Sequence, residues 1–162
     1  MLNKGDLRFI LYFAVALLLQ LTLVKYIQIY NWRPDLLLIV LVAFALQKGP
    51  NIGMTAGFLV GLVQDILSTQ YLGLTALSKT VAGFLAGSLR GKFAARTEFL
   101  LTLFICGLMH DLIYFFINTL GENFSFQSLV VLYTIPNLTY TIIIGVVFSY
   151  FVDVQVSEER VI

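Results

Sequence analysis

Apolar residues run along this chain in long continuous stretches separated by short polar breaks, with no alternation of apolar and polar positions. Such runs predict helices. The first covers about residues 8–26, weakening through Gln20 and Thr22; the others cover about 34–48, 51–68, 73–90, 98–119 and 127–151. Tyr26, Tyr30 and Trp32 cluster in the first break, where amphipathic aromatics would meet a membrane surface. Pro34 begins the second run, which is short enough for Arg33 and Lys48 to snorkel at its ends. Pro136 is expected to kink the last run, on which Tyr133, Asn137 and Thr141 form a polar stripe.

The third and fourth runs form the part around which the chain is expected to be organised. Gly53, Gly57 and Gly61 recur every fourth residue, and Asp65 takes the next place in the series. Gly83 and Gly87 repeat the spacing in the following run. Small residues at this interval let helices approach closely in lipid, which predicts a tightly packed hairpin. The stripe also drifts by ~40° per step, which leaves part of it free for a partner helix. The alternative is that these glycines serve internal packing alone.

Composition fixes the class. Hydrophobic residues make up 59% of the 162 positions, charged residues only 12%, and the mean hydropathy is +0.92. These values describe an all-α integral membrane protein, a single domain of six transmembrane helices. No small-residue cleavage site follows the first run, so it is read as a retained span. Six spans put both termini on one side. Lys4, Arg8, Lys48, Arg90, Lys92, Arg96 and Arg160 fall there, against Lys25 and Arg33 opposite, so that side is expected to be cytoplasmic.

Charge within the runs is sparse and therefore informative. Asp65, Lys79 and Asp111 come to a similar depth, and with Asn137 they form a candidate intramembrane polar cluster in which an acid pairs with the lysine. Asp65→Leu should then harm the protein more than Glu98→Leu. The alternative is that these groups reach water or headgroups. Gly61–Leu67 (GLVQDIL) and Gly107–Ile113 (GLMHDLI) also share a Gly-Leu-x-x-Asp pattern, which suggests a parallel internal repeat. His110 beside Asp111 is read as a hydrogen-bonded packing residue before a proton relay. A net charge of +1 offers nothing to nucleic acid, and Cys106, the one cysteine, forms no disulfide or cysteine-based metal cluster. The sequence has no nucleophile elbow, phosphate loop, metal-ligand spacing or paired catalytic carboxylates, so neither an enzyme nor a cofactor is expected.

Three segments together resemble a known family: Pro34-Asp35-Leu36-Leu37-Leu38; Gly53-x3-Gly57-Phe58-x2-Gly61-Leu62-x2-Asp65; and Leu72-Gly73-Leu74-x-Ala76-Leu77 with Gly83-x3-Gly87. The order is similar to that of the rod shape-determining protein MreD family. The resemblance is sharpest over residues 34–91; Lys79 and the His110-Asp111 pair are not matched to it. It implies a non-enzymatic bacterial inner-membrane subunit of the cell-elongation machinery. The implied partner is the bitopic scaffold MreC, and through it MreB, RodA and its penicillin-binding transpeptidase, with lipid around the spans. The family's likeness to the substrate-binding components of energy-coupling transporters leaves a rival reading. On that reading the chain is a solute-binding transporter subunit, with the polar stripe and the buried charges lining a pocket.

Overall fold

The structure, a computed structural model, describes residues 4–22, 24–27, 32–68, 71–94, 97–120 and 126–151. The described residues are 87% helical, with no strand among them. Six helices carry the fold: α1 (Lys4–Thr22), α2 (Leu36–Lys48), α3 (Pro50–Ser68), α4 (Leu74–Leu89), α5 (Glu98–Asn118) and α6 (Ile135–Phe151). A single turn, Val24–Ile27, follows α1; another, Phe126–Leu129, and a π turn, Val130–Thr134, lead into α6. Among the described residues, Pro50–Ser68, Glu98–Asn118 and Val130–Tyr150 are long and apolar enough to cross a membrane. Leu7–Thr22, Leu36–Lys48 and Leu74–Leu89 are shorter apolar helices.

The centre of the molecule is α2, and the glycine hairpin expected there is one of the elements around it. Its sequence LLLIVLVAFALQK is apolar on every face, and a helix without a polar face is stable only when covered on all sides. Leu37 through Ala43, Ala45 and Leu46 are all buried, and the helix touches each of the other five. Phe9 and Phe13 of α1 close on Phe44 with ring centroids 5.1 and 5.7 Å apart. Lys48, expected to snorkel, ends this covered helix at a half-buried position. Gly49, at φ 90°, turns the chain straight into Pro50 and α3.

The largest helix contact is between α3 and α4, and glycine is its cause. Gly53, Gly57 and Gly61 are the positions, with Asp65, at which α3 is buried. A Cβ on Gly53 would meet the Gly83 carbonyl oxygen, one on Gly57 the Lys79 carbonyl, and one on Gly61 the Ala76 backbone. Gly83 meets the Gly53 carbonyl in return, and Gly87 faces the Gly49–Pro50 link. The stripe is therefore not free for a partner: α4 follows Gly53, Gly57 and Gly61, because each glycine lets the α4 backbone itself, at Gly83, Lys79 and Ala76, come into contact.

In α5 and α6 the same device is used with larger knobs. A Cβ on Gly107 would lie 2.6 Å from Leu138 Cδ1, and one on Gly145 would press on Leu103 Cδ2. Gly107 therefore packs against its hairpin mate as Gly61 does, but through a side chain and not a backbone.

At 13 residues and ~1.5 Å per residue, α2 spans ~20 Å, short of a hydrocarbon core of about 30 Å. Its starting end is enclosed by the other helices, with Pro34 and Leu37 fully buried, so its free backbone groups must find partners in the protein.

Candidate functional site

The polar groups of the chain converge on that starting end of α2. Asp35 is its N-cap, and Oδ1 accepts the Leu38 N–H at 2.9 Å. From α1, Gln20 donates its amide N–H to the Pro34 carbonyl at 3.1 Å and accepts the Leu36 N–H at 2.9 Å. From α6, Asn137 Oδ1 accepts the Arg33 N–H at 2.8 Å, and Thr141 Oγ1 accepts the Asp35 N–H at 3.1 Å. Four successive residues, Arg33 to Leu36, are thus held through their backbone groups by side chains from two other helices. The polar stripe of α6, a candidate pocket lining on the rival reading, is occupied with this backbone.

The second carboxylate oxygen of Asp35 takes the lysine. Lys79, completely buried on α4, donates from Nζ to Asp35 Oδ2. His110 of α5 lies beside the pair, Nε2 3.5 Å from Lys79 Nζ and 3.6 Å from Asp35 Oδ2. Its other nitrogen, Nδ1, is 3.0 Å from Asp111 Oδ1. Both residues continue the buried stripe of α5 through Phe99, Leu103, Cys106 and Gly107, at the spacing of one helix face.

Lys79, Asp111 and Asn137 of the expected cluster are therefore assembled here, but the acid bonded to the lysine is Asp35. Asp65 stands apart. Its carboxylate accepts N–H groups from Gly73 at 2.9 Å, Thr75 at 3.2 Å and Ala76 at 3.1 Å. These are free donors at the start of α4, whose N-cap, Gly73 at φ 96°, has no side chain to satisfy them. Asp65 caps its neighbour across the turn, which gives a physical reason for an acid seven residues before a Leu-Gly-Leu. The similar Asp111 contacts His110 and caps nothing among the described residues, so the two Gly-Leu-x-x-Asp copies share a glycine contact and their acids meet different partners.

Two further expectations change. Glu98, taken as an indifferent comparison for Asp65, is 1% exposed and accepts the Gly91 N–H. Pro136, expected to kink the last helix, stands just after a π turn, Val130–Thr134, that the sequence does not predict. Proline has no N–H for the carbonyl four residues back, Leu132, and that oxygen accepts from Trp32 Nε1 at 3.0 Å instead.

Asp35, Gln20 and Thr141 carry this site, and the sequence reading passed over their role. An acid directly after a proline at the start of an apolar run is an N-cap signal. A glutamine within an apolar run had a polar partner to find.

An open depression of about 340 Å³ lies nearby, lined by Tyr71, Leu72, Leu74, Leu77, Ile117 and Leu120 among others. Among the described residues, no group of His, Cys, Asp and Glu is placed to hold a metal ion. What the arrangement does is mechanical: it satisfies the buried end of the central helix and ties α1, α4, α5 and α6 to it.

Comparison with known proteins agrees with this membrane-adapted architecture. The family model of rod shape-determining protein MreD matches residues 6–155 of the 162-residue chain. Searches of curated proteins and of solved structures give no match. The chain belongs to the MreD family.

Proposed function

From this membership we infer that the chain is a non-enzymatic, multi-pass inner-membrane subunit of the bacterial rod-shape complex. It binds the bitopic scaffold MreC and helps couple MreB filaments to peptidoglycan synthesis by RodA and its transpeptidase. Its six helices cross the membrane with both termini in the cytoplasm, as the seven-to-two division of basic residues supports.

One observation carries the reading. Large apolar side chains cover the outside of the bundle, among them Leu11, Val15, Phe58, Ile66, Phe104 and Ile143. The buried charged side chains Asp65, Lys79, Glu98 and Asp111 are turned inward and bonded within the bundle. Such a body offers apolar helix faces for intramembrane contact. Since the glycine stripe is filled from within, the MreC helix is expected on one of the outer faces.

Co-expression with MreC and purification in mild detergent tests the partner. Recovery of MreC in a fixed ratio supports the reading, and its absence under conditions that keep the subunit folded overturns it. Reporter fusions after Ile162 test the topology: periplasmic activity would overturn the six-span, termini-inside arrangement.

A further inference from the structure

The turn between α4 and α5 is basic. From Arg90 to Glu98 the sequence RGKFAARTE sets three bases, Arg90, Lys92 and Arg96, against one acid. Arg96 lies outside the described residues; Arg90 is half-buried and Lys92 exposed.

Arg90 is held at a fixed place. It caps the end of α4, three residues after Gly87, which faces the Gly49–Pro50 link, so the arginine stands at the end of the bundle where α2 finishes. Its Nε is buried and has no hydrogen-bond partner among the described residues. A guanidinium offers five N–H donors in a rigid fork that matches the oxygens of a phosphate. The acid of the turn, Glu98, is buried, and its Oε1 accepts the Gly91 N–H. Positive charge therefore prevails at the surface of the turn.

The same end of the bundle carries more of it. Phe9 of α1 packs on Phe44 of α2, which brings the exposed Arg8 to the end where α2 closes with Lys48. Along the helices that lead away from the turn, the outer surface is apolar. Phe84 on α4 and Leu101 and Phe104 on α5 are exposed, each within ~10 Å of the turn along its helix. Cationic donors above an apolar wall match the two halves of a phospholipid, whereas a free phosphate uses only the first.

We propose that the α4–α5 turn is a headgroup site for an anionic glycerophospholipid such as phosphatidylglycerol. Arg90 and Lys92 donate to its phosphate, and its acyl chains lie along the outer side chains of α4 and α5. This goes beyond the assembly role and does not depend on which partner the chain binds.

Native mass spectrometry of the full chain in mild detergent, titrated with phosphatidylglycerol or with phosphatidylcholine of the same acyl chains, tests the site. Both lipids carry a phosphate, but only the first is a net anion. Phosphatidylglycerol is expected to bind at least about fivefold more tightly, and Arg90→Gln and Lys92→Gln should each weaken it about fivefold, the effect of one basic residue near an anionic lipid. Arg90→Lys keeps the charge but not the fork and should lose less. Arg8→Gln removes the same charge from the same end, on a helix whose main neighbour is α2, and should change the affinity by less than about twofold. Equal affinity of the wild type for the two lipids overturns the proposal by itself, whether or not the variants fold. A folded Arg90→Gln protein with wild-type affinity overturns it too, as does an Arg8→Gln loss as large as that of Arg90→Gln, which would reflect a general attraction to this end. Excess glycerol phosphate should leave the lipid bound; its displacement would assign the turn to free phosphate and overturn the lipid site.

Discussion

Gly53 and Gly83 face each other so closely that a side-chain carbon on either would meet the other's carbonyl oxygen. The contact is backbone against backbone, so neither side can yield by a change of rotamer. The same holds for Gly57 against the Lys79 carbonyl, which places the glycine contact on the backbone of the buried lysine itself.

Gly57→Leu should therefore fail by disrupting the α3–α4 contact before any partner is involved. Overpacking ordinarily costs about 1–3 kcal/mol, and a backbone clash belongs at or above the top of that range. Phe58→Leu, on the exposed side of α3, should leave stability nearly unchanged. Thermal unfolding in detergent separates the two, and a wild-type melting temperature for Gly57→Leu would refute this account of the stripe.

Asp65→Leu leaves the buried N–H groups of Thr75 and Ala76, and the Gly73 N–H at the turn, without an acceptor. At about 1–3 kcal/mol for each unsatisfied buried donor, the loss should exceed that of any surface change. Asp65→Asn keeps one oxygen and should retain part of the stability. Thr55→Ala, exposed on the same helix, serves as the indifferent comparison, expected within about 0.5 kcal/mol of wild type. Equal unfolding curves for Asp65→Leu and Thr55→Ala would remove the cap from the explanation.

Lys79→Met strands Asp35 and Asp111 without their base and should cost about 3–5 kcal/mol, the range for breaking a buried pair from one side. Adding Asp35→Asn removes one of the stranded charges while still offering an oxygen to the Leu38 N–H, so the double variant should be more stable than Lys79→Met alone. A double variant that is additive, with no recovery, would show that the two residues are not energetically coupled.

Trp32→Phe removes the donor that satisfies the Leu132 carbonyl and should cost about 1 kcal/mol. Restoring an N–H with Pro136→Ala gives that carbonyl a helical donor of its own, and in this background Trp32→Phe should cost much less. A double-mutant cycle on melting free energies reads the coupling directly. A coupling of zero would separate the indole bond from the proline.

The sequence by itself determined the class of the protein. Continuous apolar runs and sparse charge call for helices, because in an apolar medium a helix satisfies its own backbone. Four-residue glycine spacing marked the α3–α4 pair, since that interval lines one helix face and only a missing side chain permits such contact. The order of these motifs also carried the family resemblance that the family model bears out. All of these are local properties, set within one helix or one hairpin.

Only the tertiary structure decided which charges meet. Asp35 and Lys79 lie 44 positions apart, and counting depth along separate helices gave Asp65 and Asp111 an equal claim to the lysine. What separated them was rotation about the helix axes. Asp65 points across its turn to the open end of α4, while Asp35, at the mouth of α2, points toward α4 and α5. Depth is read from residue number, but the direction a buried side chain faces is fixed by the packing of its neighbours. That is also why α2, the shortest of the six helices, became the centre: with no polar face to give to its surroundings, it could only be enclosed by the others.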